Sequence, residues 1–97
     1  NRMSEQVRAS HILVKEADEC TVLRQALLED GADFAALARE RSLCPSGLQK
    51  GGDLGFFGRG QMVPAFEEAA FAQSLGEIGE CVATPFGQHL IRVEERR

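Results

Sequence analysis

Few side chains in this sequence can do chemistry at neutral pH: His11, His89, and the cysteines Cys20, Cys44 and Cys81. An imidazole exchanges protons near pH 7, and a thiol can serve as nucleophile, hydrogen-bonding group or metal ligand. Metal chemistry is not expected, because no Cys-x-x-Cys or His-x₃₋₅-His spacing occurs. Gly52-Asp53-Leu54-Gly55 and Gly58-Arg59-Gly60 look like phosphate loops but match neither the Rossmann nor the Walker spacing. What remains is proton and hydrogen-bond chemistry. Met62 and Phe66, four residues apart, could supply a pocket wall or plain core packing. On residue type alone, Cys44 reads first as a small half-buried hydrophobe and only second as a site group.

The elements around these residues decide between such readings. Gln6 to Val14 alternates, with Val7, Ala9, His11 and Leu13 on one face and Arg8, Ser10, Ile12 and Val14 on the other. This is a strand, and apolar residues on both faces make it central. His89 lies in a second such segment, His89 to Val93, flanked by Ile91. A buried imidazole needs partners for both nitrogens. If the two strands are neighbours, each ring can be a partner for the other.

Asp18 to Asp30 reads as a helix with Asp18 as N-cap and Gly31 as its stop. Asp33 caps a second helix that ends near Ser42, and Cys44 follows it directly. Leu43 to Gly60, with Pro45 and six glycines, reads as loop containing one short strand, Leu54 to Phe57. Pro64 opens a third helix with Phe66, Ala69, Ala70 and Gln73 on one face. Glu80 to Thr84 and His89 to Val93 form a hairpin turning through Pro85-Phe86-Gly87. The order is β-α-α-β-α-β-β, an α+β fold with a mostly antiparallel sheet.

The chain has 97 residues and a net charge of −4. That size predicts one domain. The acidic balance argues against a general nucleic-acid binder, and no apolar run reaches the ~20 residues of a membrane-spanning helix. An odd count of widely spaced cysteines argues against a disulfide framework, so free thiols and a reducing, cytoplasmic compartment are expected. Met3 is the expected native start. Six Phe without Trp or Tyr must supply most large packing surfaces.

Taken together these residues resemble the parvulin family of peptidyl-prolyl cis-trans isomerases. The resemblance is carried by Ser10-His11-Ile12-Leu13-Val14, Gly31-Ala32-Asp33-Phe34 and Ser42-Leu43-Cys44-Pro45-Ser46. It continues through Gly51-Gly52-Asp53-Leu54-Gly55, Gly60-Gln61-Met62-Val63-Pro64-Ala65-Phe66 and Phe86-Gly87-Gln88-His89-Leu90-Ile91. It runs in order from about Val7 to Val93, the expected core of a single domain spanning residues 1–97.

The resemblance implies a four-stranded, mostly antiparallel sheet wrapped by helices, of the parvulin/FKBP-like kind. By position it implies that His11 and His89 are paired histidines on adjacent strands and that Cys44 is the active-site Cys or Asp. Thr84 would hydrogen-bond into the pair, Met62 and Phe66 would receive the proline ring, and Leu54 would line the same cleft, with Phe86 beside it as a further substrate contact. Gln88 stands where the family often has Tyr, Cys81 where Pro is common and Pro85 where Gln is. None of these removes a site group.

The implied activity is rotation about Xaa-Pro bonds in polypeptides, assisting protein folding, with no cofactor. No nucleic-acid or membrane partner is expected, and a monomer is. The alternative is a non-catalytic proline-peptide-binding or chaperone domain of a larger folding factor, which would place the domain in a periplasmic or exported setting.

Overall fold

The computed structural model describes residues 5–97; Met3, the expected start, lies outside them. The chain runs β1 (Gln6–Val14), α1 (Ala17–Glu29), α2 (Phe34–Arg41), α3 (Pro45–Lys50), β2 (Asp53–Gly58), α4 (Pro64–Ala72), β3 (Val82–Thr84) and β4 (Gly87–Arg96). The strands form one sheet in the order β2-β1-β4-β3 with every pairing antiparallel. β1 is central, as its two apolar faces required. Val7 and Ala9 pack with Phe57, Phe66, Ala70, Ile91 and Val93 on the α4 side. Ile12, Val14 and Leu90 pack with Cys20, Leu23, Phe34 and Ala38 beneath α1 and α2.

Three local expectations change. α1 begins at Ala17 with Glu16 as N-cap, so Asp18 lies inside the first turn, where its charge still suits the positive helix end. The segment read as loop contains α3, opened by Pro45 at its first turn and closed by Gly51 in the left-handed conformation. Cys44, three residues past the end of α2, is therefore the N-cap of a helix.

The third change is a cystine: Cys20 and Cys81 are bonded, 61 residues apart, with Cα atoms 6.3 Å from each other. Only Cys44 is a free thiol. The expectation of free thiols fails because cysteine spacing says nothing about which segments the fold brings together. The argument for a reducing, cytoplasmic compartment fails with it.

Two features hold the site's strand in place. Asp33 caps α2 as expected, accepting from the Ala36 N–H at 2.9 Å. Gly52, at φ +92°, lets the loop before β2 lie against β1: a Cβ there would sit 2.5 Å from the His11 carbonyl oxygen. The His11 N–H in turn donates to the Gly52 carbonyl at 2.9 Å. Among the described residues no helix is long and apolar enough to cross a membrane.

Candidate functional site

β1 and β4 put His11 opposite Ile91 and Leu13 opposite His89, so the two histidines are diagonal neighbours on one face. Their rings stack, with centroids 5.2 Å apart, and the two Nδ1 atoms are separated by 3.0 Å. One of those nitrogens must carry the proton and the other must accept it.

The chain of contacts continues outward. His89 Nε2 is 2.6 Å from Thr84 Oγ1, and the Phe86 N–H donates to that same oxygen at 3.1 Å. Thr84 already accepts from Phe86, so it is best used by donating to His89. His89 then donates through Nδ1 to His11, and the single orphan is the buried His11 Nε2, which has no partner among the described residues. The reverse order would strand the Thr84 hydroxyl proton as well.

Burial explains the charge state of the pair. His11 is pushed down to about 4, first by desolvation and then by the neighbouring His89. Desolvation also lowers His89. At neutral pH both rings are uncharged.

An open cleft of about 580 Å³ lies over this network. His11, His89, Cys44, Leu54, Met62, Phe66 and Phe86 all line it. Thr84 does not; it stands one hydrogen bond behind His89. Phe66 meets both imidazoles edge-on, at 5.5 and 5.3 Å, and also belongs to the α4-side core, so it is wall and core at once. Pro85 leaves the hairpin intact, since Thr84 and Gly87 pair across it and the Phe86 N–H is still used.

Sequence reasoning did not single out Leu13, Leu43, Pro45, Gln61 and Val63 as cleft residues. Leu43 had a signal: it is a large apolar residue beside Cys44 that proves 63% exposed. Among the described residues, no Asp, Glu, Lys or Arg lines the cleft.

Chemically, such a site can hold an apolar ring against Met62 and Phe66. It presents a thiol and an uncharged imidazole network to whatever is attached to that ring.

Residues 1–97 match the family described as PPIC-type PPIASE domain. The foldase protein PrsA of Halalkalibacterium halodurans is 48% identical over 92 residues, which cover 95% of this chain and 27% of the foldase. The peptidyl-prolyl cis-trans isomerase Pin1 of Digitalis lanata is 42% identical, with 92% of this chain and 96% of that protein covered. A crystal structure of peptidylprolyl isomerase (PrsA) from Bacillus anthracis superposes with a TM-score of 0.93 at 36% identity, over 99% of this chain and 44% of that one. The chain thus spans less than half of the length of each of these PrsA proteins.

Proposed function

The chain belongs to the parvulin family of peptidyl-prolyl cis-trans isomerases, and on that premise we propose that it catalyses rotation about Xaa-Pro bonds in unfolded or partly folded polypeptides, without selecting phosphorylated ones. The carrying observation is one cleft that joins an apolar ring pocket, Met62 and Phe66, to Cys44 and the His11–His89 pair.

The barrier to overcome is ~18–20 kcal/mol of amide resonance. An enzyme lowers it by binding the twisted imide better than either planar form. Met62 and Phe66 grip the ring while the carbonyl side turns at the end of the cleft where Cys44 and the histidines lie. A poorly solvated, uncharged surrounding weakens resonance in the imide. No bond breaks and no cofactor is needed. Cys44 acts as a hydrogen-bonding and electrostatic group, since a covalent adduct would add a step that rotation does not require. His11, His89 and Thr84 hold the polarity of that end of the cleft fixed.

Residues 1–97 form one domain in this reading, supported by a single sheet whose two faces carry the two cores. Its substrates are proline-containing chains, and the domain works as a monomer. The Cys20–Cys81 bond supports an oxidising, non-cytoplasmic compartment. The coverage of the foldase relatives favours a domain within a larger folding factor.

A protease-coupled cis-to-trans assay on an uncharged Xaa-Pro peptide tests the activity. Acceleration that is lost on filling the ring pocket, for example in Met62→Trp, is expected. No acceleration by a folded wild-type domain would leave the non-catalytic binding module as the correct reading.

A further inference from the structure

Two serines flank Cys44 and have no role in the mechanism above. Ser42 Oγ accepts from the Leu13 N–H at 3.0 Å and from the Cys44 N–H at 3.3 Å. The Leu43 N–H also donates to the Leu13 carbonyl, at 2.7 Å. The segment Ser42-Leu43-Cys44 is thereby tied to β1 two residues beyond His11. α3 presses on this tie: a Cβ at Gly47 would lie 2.4 Å from Ser42 Cβ and 2.6 Å from the Ala38 carbonyl oxygen. Ser46, in the first turn of α3, donates its hydroxyl to Cys44 Sγ at 3.2 Å.

Sulfur is a weak acceptor. A half-buried hydroxyl spent on it, and not on a backbone carbonyl, is a choice with consequences for the thiol. A sulfur that accepts one hydrogen bond keeps its own S–H free, and the accepted bond polarises that S–H further.

We propose that Ser46 is a positioning residue for the isomerisation, holding the Cys44 sulfur as an acceptor so that the thiol proton is the group offered to the rotating imide. Ser42 sets the backbone of the same segment against the histidine strand. This rests on the isomerase reading and adds the part that makes Cys44 a donor.

The test measures turnover on one uncharged proline peptide for wild type, Ser46→Ala and Ser46→Thr, each also with Cys44→Ala, together with melting temperatures. Ser46→Ala should lower kcat about fivefold, the rate equivalent of one ordinary hydrogen bond, with KM and melting unchanged. Ser46→Thr, which keeps the hydroxyl, should restore it. With Cys44→Ala the serine change should cost nothing more. Equal loss in both backgrounds, or no loss in either, overturns the proposal. Absence of turnover in wild type would overturn the isomerase reading itself.

A readout independent of turnover is the infrared S–H stretch, which Cys44 alone supplies while the cystine is intact. The band should move in Ser46→Ala and return in Ser46→Thr. A band that stays in place in Ser46→Ala also overturns the proposal.

Discussion

His11 and His89 cost the fold a buried orphan nitrogen and repay part of it by satisfying one another across 3.0 Å. Truncating either ring leaves its partner's Nδ1 unpaired as well, at about 1–3 kcal/mol. His11→Ala and His89→Ala should both melt clearly below wild type by calorimetry. Unchanged melting with abolished turnover would make the rings direct catalysts instead. The same pair sets an acid limit. His11 titrates near 4 in the fold against its ordinary 6.5, because charging it means charging a desolvated ring. Between those values the unfolded chain binds the proton and the folded chain does not. The stability is therefore complete above pH 6.5 and is lost as pH falls through about 4, by ~3 kcal/mol. Melting temperature should decline over that window in wild type and decline less in His11→Ala. Cys44 separates donor from nucleophile: Cys44→Ser, which keeps a donating hydroxyl, should keep substantial turnover, whereas loss in Cys44→Ser would restore the covalent route.

At the scale of elements, the Cys20–Cys81 bond links α1 to the residue just before β3, the strand that carries Thr84. Closing a loop between residues 61 apart stabilises by about 4 kcal/mol in the chain-entropy account. A reducing agent should lower the melting temperature markedly, and Cys20→Ser should reproduce the effect without reductant. Identical melting in both states would show that the bond contributes nothing. This crosslink was not legible in the sequence, since odd count and wide spacing carry no information about contact in space. α3 escaped for a related reason. Six residues with a glycine at their centre have no usable periodicity, although Pro45 and Gly51 marked both ends. The strands were legible because period two fixes which residues share a face. His11 and His89 on one face followed from it, but their 3.0 Å contact needed the antiparallel register of β1 and β4. Thr84, Cys44 and the ring pocket were reached through resemblance to a family; their residue types alone left core packing open.

Across the whole molecule, charge decides what can approach the cleft. The chain carries a net −4, and the described residues lining the cleft are uncharged at neutral pH. The connection leaving β1, just past Leu13 at the cleft wall, is Lys15-Glu16-Ala17-Asp18-Glu19, with Lys15, Glu16 and Asp18 exposed. A phosphate dianion is held by clustered Arg or Lys with fixed donors, and a single Lys among three carboxylates cannot supply that. Leu43 and Phe86, which both line the cleft, instead offer large exposed apolar surfaces at 63% and 67%. The residue before proline should therefore be uncharged or apolar for best turnover, with basic residues tolerated through the acidic surround. Two peptides differing only as Ser-Pro and phosphoserine-Pro, compared at fixed ionic strength, measure this directly. The unphosphorylated peptide should have the higher kcat/KM, and raising salt should narrow the gap by screening the repulsion. A higher kcat/KM for the phosphorylated peptide would reverse the assignment from general folding to phosphate-directed recognition, because no neutral cleft beside an acidic loop favours a dianion.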